Sequence, residues 1–394
     1  MDERNEIALP QRRGTDSEKW DGLSALFSRD DLLPLWVADM DFKVPACVRE
    51  ALHRAVDHGA FGYYIIPDRY YDSILGWERR RHGTEWKREW VRNAPSVVTG
   101  LFHLVQALTQ PGDAILIQTP VYMPFYRIIQ DTGRRAVYNP LKEAEGIYTI
   151  DLADFERKIV EEKVTTFLLC SPHNPVGRVW KREELQGMLD CCRRHGVQVF
   201  SDEIHHDLMM PGHTHISAAS LWVGEGRPVT LFSASKTFNL AGMKNAVMIL
   251  PEQDQRDRFD RFQKTLGVGE GSTLDYIAVA AAFSGGDAWL DTVLDQVWEN
   301  YQYMKNALEL FPAVTVSPLE GTYLMWLDLG KAVSRDALHD FVEGACRLAP
   351  DYGHWFYPEG EKGDTHIRLN LAAPRATIEK AAAQLTAALT ALVQ

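Results

Sequence analysis

Val229-Thr-Leu-Phe-Ser-Ala-Ser-Lys-Thr-Phe-Asn239 opens as a short apolar run and closes on small hydroxylated residues around one lysine. The run Val229 to Phe232 has the length of a buried strand, so Lys236 falls just past a strand end, at the mouth of a sheet. There an amine can be desolvated and made nucleophilic. Ser233 and Ser235 add the hydroxyls that a phosphate-bearing aldehyde would need at its anchor point. Ordinary turn chemistry at a strand end is the competing reading of the same residues.

On either side of this stretch, short apolar runs alternate with helical-period stretches from about Leu101 onward. Ala114-Ile-Leu-Ile-Gln118, Thr166-Phe-Leu-Leu-Cys170, Val197-Gln-Val-Phe200 and Ala246-Val-Met-Ile-Leu250 read as further strands, with amphipathic segments such as Lys181 to His195 between them. The alternation predicts an α/β fold, a mainly parallel sheet with crossover helices, in which ligands bind beyond the carboxyl ends of the strands. After Gly285 the texture changes to a long helical stretch from Trp289 to Leu310, the runs Thr322 to Asp328 and His366 to Asn370, and an alanine-rich helix from Pro374. The expected organisation is an N-terminal arm with part of the small domain over residues 1–45, a large domain over 46–285 and a smaller α+β domain over 286–394. The arm is expected to pack on the C-terminal domain or on a second subunit.

Composition narrows the partners. A formal charge of −12 with no Lys/Arg cluster argues against nucleic acid, whose binding depends on neutralising phosphates, and favours a small molecule. The five cysteines, Cys47, Cys170, Cys191, Cys192 and Cys346, are too scattered for a disulfide framework and lack Cys-x-x-Cys spacing, which suits a reducing cytoplasm. Met-Asp-Glu-Arg-Asn-Glu at the start is charged where a signal peptide would be apolar, and no run approaches the roughly 18 apolar residues of a spanning helix. Neither secretion nor a membrane span is expected.

The polar residues at the strand ends form one candidate constellation. Asp202 follows the run Val197 to Phe200, where a buried carboxylate needs a cationic partner such as a pyridinium nitrogen, or else caps the next helix. Asn174, set between Pro172 and Pro175, has an amide ready to bond a phenolate oxygen, or is part of a plain turn. Tyr122, after the strand at Ala114, could stack on an aromatic ring or belong to the core. Gly100 reads as a turn glycine opening a helix whose N-terminal N–H groups would hold a phosphate. Arg368, inside an apolar run, needs an anion: a ligand carboxylate held by its planar fork, or an internal Asp or Glu.

In this order, Gly100, Tyr122, Asn174, Asp202, Lys236 and Arg368 resemble the fold-type I pyridoxal 5′-phosphate enzymes of the aspartate aminotransferase superfamily. Arg12-Arg-Gly-Thr-Asp-Ser-Glu-Lys-Trp-Asp21, Leu35-Trp-Val-Ala-Asp-Met-Asp-Phe42, His58-Gly-Ala-Phe-Gly-Tyr63, Ser171-Pro-His-Asn-Pro-Val-Gly-Arg-Val-Trp180 and Ser233 to Gly242 resemble, more closely, the MalY/PatB-type cystathionine β-lyases. The resemblance implies a seven-stranded, mainly parallel sheet and pyridoxal 5′-phosphate as cofactor. It makes Lys236 the Schiff-base and catalytic lysine, Asp202 the partner of the pyridine nitrogen and Asn174 the donor to the ring oxygen. His205 would lie near that oxygen. Gly100, Leu101 and Phe102 would hold the phosphate through the backbone, helped by Ser233, Ser235 and Lys244, where relatives carry an arginine. Tyr122 would stack on the ring, and Tyr63 would reach over from a neighbouring subunit of a homodimer. Arg368, Ala38 and Asp39 would contact the amino-acid substrate.

The implied reaction is β-elimination from L-cystathionine or another cysteine S-conjugate, giving a thiol, pyruvate and ammonia. Transamination uses the same base and electron sink and stays open, as does a cofactor-binding regulator, although the acidic charge disfavours DNA. Glu203-Ile-His-His-Asp207 and His213-x-His215 lack the two histidines at i, i+4 of a zinc helix, so no metal is expected.

Overall fold

The computed structural model describes residues 9–27, 29–267, 271–358 and 363–393. Seven strands form its central sheet: β1 (Val91–Ala94), β2 (Ala114–Ile117), β3 (Arg135–Tyr138), β4 (Val164–Cys170), β5 (Gln198–Asp202), β6 (Val229–Phe232) and β7 (Ala246–Ile249). Their order is β1-β7-β6-β5-β4-β2-β3, with β7 antiparallel to both neighbours and the other adjacent pairs parallel. Because helices cover both faces, β2, β6 and β7 are buried along their whole length, which is why they read as unbroken apolar runs. On β7, Ala246 and Met248 face the helix α3 (Val97–Leu108) side, while Val247 and Ile249 face a second core. That second core includes residues of α1 (Ala46–His58), α2 (Asp68–His82) and α6 (Thr273–Gly285).

Helix α4 (Arg182–Arg194) crosses between β4 and β5, and the four-residue α5 (Ala234–Thr237) follows β6 and carries Lys236. Helix α7 (Asp287–Leu308) leads out to a four-stranded antiparallel sheet, β8 (Thr315–Val316), β9 (Leu324–Asp328), β10 (Asp351–Tyr352) and β11 (His366–Asn370), ordered β8-β9-β11-β10. The chain closes on α8 (Arg375–Val393). The arm lies on this second sheet unit: Leu33 and Pro34 pair in parallel with Leu348 and Ala349, and Leu35 O accepts the Asn370 amide. Among the described residues no single helix is long and apolar enough to cross a membrane.

Candidate active site

The six parallel strands of the central sheet bring their carboxyl ends to one edge, and the site is assembled there. Asp202 is the last residue of β5, paired in register with Cys170 at the end of β4. It is 4% exposed, and its one side-chain hydrogen bond among the described residues comes from the Ile204 amide at 3.0 Å. Burial therefore pushes its carboxyl up to about 7, against the lowering effects of the Ile204 amide and Lys236. A carboxylate kept this dry is short of a cation.

Lys236 extends from α5 into the same space, and its Nζ donates to the Ala38 carbonyl at 2.6 Å. Burial and the Arg368 charge lower the amine to about 8, which Asp39, Asp202 and Asp351 only partly offset. At neutral pH a useful fraction of such an amine is uncharged and nucleophilic. The Tyr323 hydroxyl reaches the same carbonyl at 2.8 Å. The His205 ring lies edge-on to Tyr323, with centroids 6.1 Å apart, and its Nδ1 is buried with no partner. Burial, with Lys236 and Arg368 nearby, holds this imidazole neutral, well below its usual pKa.

Arg368 sits in β11 and is buried. Its Nη1 donates to Asn174 Oδ1 at 2.7 Å, its Nη2 pairs with Asp351, and its Nε has no partner. Of the two readings open for Arg368, an internal carboxylate is thus present in this structure. Asp351 had no signal in the sequence beyond being one acid among many; only the β10–β11 register, Asp351 opposite Arg368, exposes it. With Oδ1 occupied, Asn174 Nδ2 has no protein partner among the described residues. Tyr122, half-buried after β2, has its phenol pushed up by burial.

The phosphate end differs from expectation. Helix α3 starts at Val97, capped by Ser96, whose hydroxyl accepts the Thr99 amide at 3.1 Å. Gly100 therefore lies in the first turn and does not open the helix; its N–H is already bonded to Ser96 O at 2.8 Å. Leu101 and Phe102 lie further along, so their N–H groups also turn back into the helix. The amides left for an anion are those of Val97 and Val98. Gly100 lets the helix pack closely on the sheet: a Cβ there would stand 2.9 Å from Met248 Sδ and 3.1 Å from Leu231 Cδ2, and these side chains would have to shift. Ser233 is likewise occupied, its hydroxyl donating to Asn245 O at 2.7 Å and accepting the Ser235 amide. Ser235 keeps a half-buried hydroxyl with no partner among the described residues. Lys244 is exposed on the loop before β7.

The arm supplies a wall of the site. Asn370 Nδ2 holds the Val37 and Asp39 carbonyls at 2.6 Å each, and Asn239 clasps the Met40 backbone and Phe42 O at 2.9 Å. These pins fix Ala38, whose N–H has no protein partner among the described residues. Arg12 pairs with Asp39 Oδ2 at 2.5 Å, while Asp39 Oδ1 is buried with no hydrogen-bond partner among the described residues. Asn370, Asn239 and Arg12 lay within motifs read from the sequence, but only tertiary contacts give them this task.

Behind α5 lies a buried network. Thr237, next to Lys236, donates to Asp207 at 2.7 Å; Asp207 also meets His82 at 2.7 Å and Trp77 Nε1 at 2.9 Å. His206 contacts Glu78 at 3.0 Å, and His215 contacts Glu203 at 2.8 Å. Burial alone would lower His206, but Asp207 and Glu78 outweigh it and raise the imidazole to about 10. Ligand atoms of Glu78, His82 and His206 lie within 4.8 Å of one another, yet each already faces a hydrogen-bonding partner within the network.

These atoms match pyridoxal 5′-phosphate group for group: a desolvated amine for its aldehyde, an unpaired buried carboxylate for its ring nitrogen, a free amide donor for its ring oxygen, and two helix N–H groups with a hydroxyl for its phosphate. Tyr63 stands apart, fully exposed on the segment after α1.

A family model described as aminotransferase class I and II matches residues 30–385. Cystathionine beta-lyase PatB of Bacillus subtilis (strain 168) is 39% identical over 384 residues, covering 96% of this chain and 98% of the relative. Protein MalY of Escherichia coli (strain K12) is 33% identical over 386 residues, 97% of each chain. Cystalysin from Treponema denticola, solved with a pyridoxal 5′-phosphate cofactor, superposes with a TM-score of 0.92 at 33% identity over 98% of both chains. The PLP-bound C-S lyase from Staphylococcus hominis does so at 0.90 and 29% identity, over 98% of this chain and 97% of the other. Fold, site and near-complete coverage converge: the chain belongs to the class I and II aminotransferase family, in its branch of MalY/PatB-type cystathionine β-lyases.

Proposed function

We propose that this protein is a pyridoxal 5′-phosphate-dependent carbon-sulfur β-lyase that converts L-cystathionine or other cysteine S-conjugates to a thiol, pyruvate and ammonia. The observation that carries the reading is the pairing of a desolvated amine, Lys236, with a desolvated carboxylate, Asp202, at neighbouring strand ends. When bound, the cofactor supplies an electron-poor ring that accommodates negative charge at the substrate Cα. Lys236 would carry it, with Asp202 at the ring nitrogen, Asn174 Nδ2 and His205 at the ring oxygen, Tyr122 against the ring, and Val97, Val98 and Ser235 at the phosphate.

Arg368 and the Ala38 N–H would hold the substrate α-carboxylate and so fix which bond at Cα faces the base. Lys236 Nζ is the group to take the Cα proton. The Ala38 carbonyl, already 2.6 Å from that nitrogen, would steady the amine, and Tyr323 would steady the carbonyl. Residues 1–45 would act as arm and part of the small domain, 46–285 as the large domain and 286–394 as the small one. Five free thiols, four of them buried, suit a reducing cytoplasm.

A homodimer completes the reading. Phe61, Tyr63 and Ile65 are 59%, 111% and 86% exposed, and they border a cleft of about 600 Å³ and another of about 500 Å³ that also involve Thr273 and Ile277. Exposed aromatics at this density suit an interface. Mixing Tyr63→Ala with Lys236→Ala subunits should then restore activity that neither has alone, since one hybrid site would regain both residues.

The deciding experiment gives the purified holoenzyme L-cystathionine and follows pyruvate and free thiol together. Equimolar release of both is expected. No pyruvate, together with rapid amino-group exchange against a keto acid, would make the protein an aminotransferase.

A further inference from the structure

Charges acting on Lys236 include Arg368, Asp39, Asp202 and Asp351. Asp39 is answered by Arg12 at 2.5 Å, and Asp202 lies where the cofactor nitrogen would stand. That leaves Asp351 against Arg368. Both are buried, 7% and 5% exposed, on adjacent strands whose register places them directly opposite each other. The guanidinium is therefore neutralised by its own chain before any substrate arrives. One α-carboxylate can still be received by sharing Nη1 with Asn174. A second carboxylate entering beside Arg368 meets Asp351 instead of spare positive charge.

We propose that Asp351 is a specificity-determining residue: by holding Arg368 Nη2 it admits amino acids with one carboxylate at the reacting end and disfavours dicarboxylic amino and keto acids. The distal end of L-cystathionine carries an ammonium beside its carboxylate and is neutral overall, so it passes this filter. A dicarboxylic keto acid passes it less well, which weakens the binding of one common amino-group acceptor and tilts a site whose base and sink serve both reactions toward elimination. The inference rests on Arg368 being the carboxylate clamp.

Propionate and succinate, titrated calorimetrically into the holoenzyme, test it without turnover. The wild type should bind propionate more tightly. Asp351→Asn keeps the shape and an acceptor for Nη2 but removes the charge. It should move the propionate-to-succinate affinity ratio toward succinate by about fourfold, the effect of one unit charge roughly 10 Å from the second carboxylate at an effective dielectric of about 40. An unchanged ratio in a variant that melts like the wild type overturns the proposal. Tighter succinate binding by the wild type overturns it without any variant. Arg368→Gln separates the premise: if it binds both probes as the wild type does, the clamp assignment fails, whatever the Asp351→Asn ratio.

Discussion

Asp202→Asn tests the central electrostatic argument without substrate. In the apoprotein the Asp202 carboxyl titrates at about 7 where an ordinary one titrates at 3.8, chiefly because burial disfavours its charge. That difference corresponds to about 4 kcal/mol, at about 1.4 kcal/mol per tenfold in proton affinity. The folded state keeps a proton that the unfolded chain has lost, so apoprotein stability falls as pH rises from about 4 and the full loss is reached above about 7. The cofactor's ring nitrogen would reverse this by giving the carboxylate a cation. Thermal unfolding of apo and holo protein between pH 5 and 8 is the assay. In the wild type, the melting-temperature gain on adding pyridoxal 5′-phosphate should grow with pH. In Asp202→Asn the apoprotein should be the more stable of the two at pH 8, and the gain should lose its pH dependence. Identical pH profiles for the two apoproteins would mean that the lone buried carboxylate does not burden the fold.

Other perturbations read other parts of the site. Lys236, lowered to about 8 by burial and Arg368, must be uncharged to attack an aldehyde, so cofactor capture by the apoprotein should accelerate as pH rises from 7 to 9; a flat stopped-flow profile would contradict this, and Lys236→Ala should lose the visible band of the lysine-bound cofactor. Gly100→Ala would drive a methyl to 2.9 Å from Met248 Sδ and should destabilise the protein by about 1–3 kcal/mol; a neutral effect on the denaturation midpoint would show that the α3–sheet contact is looser than described. His206, raised to about 10 by Asp207 and Glu78 despite its burial, contributes stability that is fully present below the unfolded value near 6.5 and is lost as pH rises through about 10. His206→Gln should remove that stretch of pH dependence, and urea midpoints that fall equally in both proteins between pH 7 and 10 would assign it elsewhere.

Much of the fold was legible because its signals are local. Ala114 to Ile117, Val229 to Phe232 and Ala246 to Ile249 are apolar throughout since both sheet faces are covered, and a run of four such residues is visible in any sequence. The placement of Lys236, Asp202 and Asn174 was legible for the same reason: each lies within a few residues of a strand end, and a parallel sheet brings those ends to one edge. The start of α3 was misread because a glycine suggested a turn, whereas Ser96 supplies the cap and Gly100 answers to Met248, about 150 residues away.

Local sequence patterns thus gave away the sheet and, through the family motifs they carry, the cofactor and the lysine proposed to hold it. Tertiary structure alone decided which groups surround that lysine. The Ala38 carbonyl that receives it is 198 positions away, the Glu78–His206 contact spans 128, and Asp351 meets Arg368 through strand register. Periodicity reports the environment of a residue's own segment and carries no record of which distant segment arrives opposite it. For this protein, the charge left on Arg368, the proposed substrate clamp, depends on that arrival.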